Sequence, residues 1–181
     1  MTDIPTYDLV PHPDCPSGAV RSIAVTARRD GERLSLTYRV TGAIGDVVWP
    51  EPADPGFRDG LWRHSCFEAF VGDEGKPRYV ELNIAPSTQW AAYDFDDRRA
   101  GMRRAAGAAV RDVVWRAEAD VAELRATADL PGLADVDWDV ALTTVIEQRD
   151  GTKSFWALAH PAGREDFHDR DCFTARLAAP R

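Results

Sequence analysis

Trp62-Arg63-His64-Ser65-Cys66-Phe67-Glu68-Ala69-Phe70-Val71 and Tyr79-Val80-Glu81-Leu82-Asn83-Ile84 are the two stretches that decide the fold. In each, side chains of different character alternate, as in a half-buried strand whose residues point up and down in turn. Between them lies Gly72-Asp73-Glu74-Gly75-Lys76-Pro77, rich in residues that tolerate unusual backbone angles. The spacing predicts a hairpin. With its turn centred near Glu74 and Gly75, Glu68 falls opposite Glu81, Cys66 opposite Asn83 and Phe70 opposite Tyr79. Phe67, Ala69, Val80 and Leu82 then share the other face, which reads as core.

Two carboxylates directly across an antiparallel pair stand roughly 5 Å apart at Cβ and repel. A shared proton, a basic side chain, a cation or the hydroxyls of a ligand would relieve them. The pairing depends on register, since a slip of one residue exchanges the faces. A third run, Gln89-Trp90-Ala91-Ala92-Tyr93-Asp94-Phe95, follows the turn Ala85-Pro86-Ser87-Thr88. Counting back from that turn sets Trp90 beside Asn83 and Ala92 beside Glu81. A flat aromatic ring, carboxylates and an amide are the composition of a sugar-binding surface. The alternative is a core Trp90 with glutamates paired to arginines.

Outward from this centre the chain continues to read as strands. Val20 to Arg29 and Arg33 to Thr41 flank Asp30-Gly31, a hairpin turn. Ile44 to Trp49 reads as a short strand stopped by Pro50, Pro52 and Pro55, and the loop on to Gly60 is a candidate binding loop. Asp96 to Gly107, with Arg98, Arg99, Arg103 and Arg104, reads as a short helix or a basic loop able to supply counter-charge. Val110–Glu118, Val121–Leu130, Trp138–Glu147 and Ser154–Ala159 alternate again, the last pair around Asp150-Gly151. About ten short strands with regular turns and no long helix predict an all-β, antiparallel, jelly-roll-like sandwich. Residues 1–19, with prolines at 5, 11, 13 and 16, read as an irregular lead-in, and 20–181 as a single domain.

With 181 residues, 44% hydrophobic and 29% charged, the chain suits one ordinary globular domain. A net charge of −8 disfavours nucleic acid and anionic membrane surfaces as partners. Met1 to Thr6 shows no secretion signal, and Cys15, Cys66 and Cys172 are sparse and odd in number, so the expected address is cytoplasmic. Oligomeric state and metal content are left open by the sequence.

The last loop, His160 to Phe173, carries two histidines, four acids and two arginines. His160 and His168 with Asp169 or Asp171 are a candidate metal set, without recognised spacing. Either histidine beside a carboxylate is also a candidate general base, with Glu68 and Glu81 as second group. The competing reading is a loop tied down by ion pairs. His64 is a candidate ligand contact or a partner for Glu68. A nucleophilic Cys66 is disfavoured, because acidic neighbours raise a thiol pKa. Met102 with His160 or His64 is a conceivable axial pair for haem, against a simple packing methionine.

The segments Leu61 to Phe70, Tyr79 to Ser87, Gln89 to Tyr93 and Ala157 to Pro161 resemble the bacterial DOMON-like proteins, relatives of the family 9 carbohydrate-binding modules. The similarity spans about Val20 to Phe173. It rests on Trp62, the Glu68-Ala69-Phe70 strand and the Glu81-Leu82-Asn83 strand. The resemblance implies a β-sandwich whose ligand is a sugar or a haem. Trp62, Trp90, Glu68, Glu81 and Asn83 match the aromatic platform and polar set of the sugar-binding members, which often carry calcium. Met102 with a histidine matches the axial pair of the haem-binding members. The leading expectation is a non-catalytic module binding a carbohydrate or similar polyol at Glu68, Glu81, Asn83, Trp62 and Trp90. His64, His160 and His168 would stand at its rim. The alternatives are a b-type haem module using Met102 and His160, and an enzyme.

Overall fold

Period-two alternation governs the whole chain. The computed structural model describes residues 4–180, so residues 1–3 of the expected lead-in and residue 181 lie outside the description. The strands are β1 (Thr6–Pro11), β2 (Val20–Asp30), β3 (Arg33–Gly42), β4 (Gly56–Phe57), β5 (Cys66–Asp73), β6 (Tyr79–Ile84) and β7 (Gln89–Phe95). After them come β8 (Arg103–Arg104), β9 (Ala109–Ala117), β10 (Val121–Asp129), β11 (Trp138–Glu147), β12 (Lys153–Ala157) and β13 (Ala175–Leu177). The helical elements among the described residues are three single 3-10 turns. None is long and apolar enough to cross a membrane.

The expected all-β architecture holds. One layer runs β1-β2-β3-β10-β9, the other β12-β11-β5-β6-β7-β4, with β13 beside the first half of β11 and β8 beside β7. β1 belongs to both layers. Thr6 to Leu9 pair with β2, while Val10 and Pro11 pair with β12, so the sheet curls from one layer into the other. Within the expected irregular lead-in, Thr6–Pro11 is therefore an ordered strand, while residues 12–19 remain turns. Its prolines lie where the ladder needs no donor, Pro5 before the strand and Pro11 at its last position. Every pairing among the described strands is antiparallel except β4 with β7.

The interior lies between the layers. Ile23, Val25, Leu34, Leu36, Val40 and Leu124 from one layer meet Phe67, Leu82, Ile84, Val140, Leu142 and Trp138 from the other. Tyr38 crosses this interior to donate its hydroxyl to the Glu68 carbonyl at 2.6 Å. That bond satisfies a buried hydroxyl and pins β5, one of the central strands, at a fixed height.

One local expectation changes, and one takes the second of its two forms. Ile44 to Trp49 forms a 3-10 turn, Ile44–Asp46, and an isolated bridge from Val47 to Gln148. Asp96 to Gly107 is a basic loop interrupted by the short β8: Arg99, Gly101 and Gly107 all adopt positive φ, which breaks any helical run. Gly42 has φ +146°, and a Cβ there would lie 2.2 Å from the Ala19 carbonyl. Gly42→Ala is expected to lower stability by about 2–3 kcal/mol in urea denaturation, since both backbone angle and space refuse a side chain.

Candidate functional site

The central hairpin pairs Glu68 with Asn83, Phe70 with Glu81 and Gly72 with Tyr79. Pairing is thus two residues away from the expected register. Gly75 takes φ +72°, and Pro77, lacking an N–H, cannot donate to the ladder, so pairing resumes at Tyr79. A shift of two keeps every side chain on its face. Glu68 and Glu81 remain neighbours, now on a diagonal and not directly opposite. The face of Phe67, Ala69, Val80 and Leu82 is core, as expected.

The next turn shifts by one. Ile84 pairs with Trp90, Asn83 with Ala91 and Glu81 with Tyr93. Thr88 adopts φ +77°, inserting a left-handed residue before β7. This exchanges the faces of β7. Trp90 packs on the interior side, edge-on to Phe57, and Tyr93 borders Glu81 in its place.

The outer face of β5, β6, β7 and β11 is also covered. Phe70, Tyr79, Tyr93, Phe95, Phe167 and Phe173 build a second apolar cluster beneath the loops. Within it is a cavity of about 350 Å³. Its walls include Trp62, Phe70, Phe95, Phe155 and Phe167, and its polar lining is Glu68, Glu81, Arg99, Glu165 and His168. Val145 and Met102 complete it. Trp62 comes from the 3-10 turn Leu61–Arg63, which follows the expected binding loop, and no residue of that loop up to Gly60 lines this cavity.

The polar groups are unevenly satisfied. Asn83 Nδ2 donates to Glu81 Oε1 at 2.7 Å. Glu68 is 3% exposed, and its Oε1 has no hydrogen-bond partner among the described residues. Its Oε2 has only a long 3.4 Å contact from the Thr143 hydroxyl. Burial, reinforced by Glu81, holds the Glu68 carboxyl far above the usual carboxylate range. Burial also raises Glu81 to about 7, opposed by the Asn83 hydrogen bond and by Arg99.

His168 sits over this pair. Tyr79 accepts from the Arg99 amide at 3.2 Å and lies 2.7 Å from His168 Nδ1. With the hydroxyl donating to Nδ1, the ring carries its proton on Nε2, which faces Glu81 Oε2 at 3.7 Å. Burial and then Arg99 lower His168 to about 4, so the ring is neutral. Asp166 organises the loop: Arg98 reaches its Oδ2 at 2.6 Å and Arg99 its Oδ1 at 2.8 Å. Arg98, Arg99 and Arg103 of the basic loop make their ion pairs with Asp166, Asp169 and Asp96, and not with the Glu68–Glu81 pair.

The structure thus gathers Trp62, Glu68, Glu81 and His168 around one cavity, with Asn83 holding Glu81. The other expected site residues lie elsewhere. Trp90 is on the interior face, and His64 Nδ1 pairs with Glu147 at 2.8 Å on the surface. His160 Nε2 meets the Val10 carbonyl at 2.9 Å and its ring packs edge-on to His12. The Met102–His160 axial pair therefore does not converge: Met102 lines the cavity and His160 does not. Nor do His160, His168, Asp169 and Asp171 meet, and among the described residues no three such side chains form a metal-sized cluster. Cys66 is a free, buried thiol raised by burial and then by Glu68, which removes it as a nucleophile. Phe70, Phe95, Phe155 and Phe167 are lining residues that only their strand parity and loop position signalled.

Chemically, the cavity offers aromatic faces, a protonated acid able to donate, an acid able to accept, and an imidazole N–H. No family model matches the chain, and no curated relative does. Solved structures resemble it in fold. A candidate carbohydrate-binding protein from Bacteroides uniformis has a TM-score of 0.64 at 14% identity, covering 98% of this chain and 87% of the other. A family 9 carbohydrate-binding module from Caldicellulosiruptor kristjanssonii in complex with cellotriose has a TM-score of 0.58 at 8% identity, covering 97% and 82%. A module of the same family and organism with glucose has a TM-score of 0.50 at 8% identity, covering 88% and 76%.

Proposed function

We propose that the protein is a non-catalytic binding module for a carbohydrate or similar polyol, held in the cavity beneath Trp62 and His168. The observation that carries this is Glu68 Oε1, without a hydrogen-bond partner among the described residues, at the base of an aromatic-walled cavity. Sugar rings present an apolar face that stacks on aromatic rings and hydroxyls that must exchange water for protein partners. A cavity of about 350 Å³ is within the range of small-ligand sites. The sugars bound by structures of the same fold support the reading, as do the segments that resemble DOMON-like proteins. Three free cysteines are in keeping with a cytoplasmic site of action.

The test is calorimetric titration with a panel of glucose-based mono- and oligosaccharides. Trp62→Ala is expected to weaken the best ligand at least about tenfold, the worth of a lost aromatic contact. Trp90→Ala, outside the cavity, should leave affinity within about twofold. Equal losses for the two would overturn the assignment. A Soret band in protein purified from its own host would instead favour haem, with Met102 and His168 as the ligating side chains of this cavity.

A further inference from the structure

We infer that the cavity selects a ligand bearing a protonated amine, an amino sugar whose ammonium group sits between Glu68 and the aromatic walls. This deepens the carbohydrate reading and rests on it. Buried carboxyls are ordinarily matched by a base or by several donors. Glu68 has neither: Oε1 is without a partner among the described residues, and Oε2 has the single long contact from Thr143.

The groups that face the Glu68 carboxyl supply no cation. Glu81 from β6 is another acid, and Cys66 on the same strand as Glu68 is neutral, its thiol pKa raised by burial and then by Glu68 itself. From the covering loops, His168 is neutral, and Arg99 has Nε and Nη2 committed to Asp166 at 3.1 and 2.8 Å. Glu165 lines the cavity as a third acid and is exposed to solvent. Carboxyls therefore exceed available cations, and the missing charge is one that arrives with the ligand.

The walls agree with this. Trp62, Phe70, Phe95, Phe155 and Phe167 surround the space, and aromatic faces attract a cation through their negative quadrupole. An ammonium group has three donors, enough for Glu68 Oε1, Glu68 Oε2 and Glu81 Oε2. A hydroxyl would satisfy one oxygen and leave the other without a donor. The Arg99 and His168 edge remains for the sugar's own hydroxyls. In the empty cavity burial keeps Glu68 protonated, and an arriving ammonium group ionises it. Binding then expels a proton to solvent.

Glucosamine, glucose and N-acetylglucosamine, as monomers and as β-linked trimers, are the probes. Each is titrated calorimetrically across the acid-to-neutral range in two buffers of different ionisation enthalpy. The amines are expected to bind at least about tenfold tighter than their hydroxyl and acetamido counterparts at neutral pH. They should release at least one proton below neutral pH and gain affinity as pH rises toward 7, where Glu81 also ionises. Glu68→Gln is expected to bring the three sugars within about threefold of one another. If that variant does not fold, proton release and the pH trend of the native chain decide. Glucose or N-acetylglucosamine binding as well as glucosamine, without proton release, overturns the amine inference and leaves the sugar site standing. No binding by any of them sinks both.

Discussion

Glu81→Gln and His168→Asn are expected to tilt the pH dependence of stability in opposite directions. Folding raises Glu81 from an ordinary 4.5 to about 7. The folded chain therefore holds that proton more tightly. Its contribution to stability is full below pH 4.5 and is lost as pH rises toward 7. Folding lowers His168 from 6.5 to about 4, so its contribution is full above pH 6.5 and is lost as pH falls. Each slope is about 1.4 kcal/mol per pH unit and about 3 kcal/mol across its window. In the native chain the two largely cancel between pH 4.5 and 6.5, leaving Glu68 to add a fall with rising pH. Urea denaturation from pH 4.5 to 7.5 should show Glu81→Gln gaining on the native chain as pH rises. His168→Asn, which keeps an acceptor for Tyr79, should lose ground over the same range. Curves parallel to the native one for both variants would mean that neither group titrates abnormally.

Arg29→Met carries the other large effect. Arg29 lies on the parity of Val25 and Ala27, so its side chain enters the edge of the interior. Its guanidinium donates to the carbonyls of Leu133, Ala134 and Val136 at 2.7 Å and of Gly31 and Leu177 at 2.9 Å. It also lies 3.9 Å from the centre of the Trp138 ring. One side chain thus closes the 131–137 loop and anchors the strand that ends at Leu177. Removing it strands several carbonyls at once, and a loss of about 3–5 kcal/mol is expected from urea denaturation. Arg29→Lys should recover little, because an ammonium has three donors on a point and cannot span five acceptors. A loss below about 1 kcal/mol would show that solvent replaces these bonds freely.

Much of this architecture is legible in local sequence because a strand's period is two. Phe67, Ala69, Val80 and Leu82 must share a face whatever the turn does, provided the shift is even. Asp30-Gly31 marks its hairpin unaided, with Asp30 paired to Arg33. The acids Glu68 and Glu81 likewise stay together on the outer face, and Trp62 and His168 are recognisable as aromatic and imidazole at loop positions that a binding site uses.

What fails is what depends on a turn's backbone angles. Thr88 at positive φ adds one residue to the count, and that one residue sends Trp90 to the interior and brings Tyr93 to Glu81. Nothing in Ala85-Pro86-Ser87-Thr88 announces a left-handed threonine, a conformation that costs energy and is held by the surrounding pairing. β1 is similar. Its prolines argue for irregular chain until two separate strands, β2 and β12, offer it partners.

The amino-acid sequence by itself therefore determined the all-β class, the strand parity and the acidic outer face, because these follow from alternation along single strands. Only the tertiary structure decided the register, the place of Trp90 and the cavity. Those depend on loops distant in sequence closing over Glu68, and no local pattern contains the contacts they make.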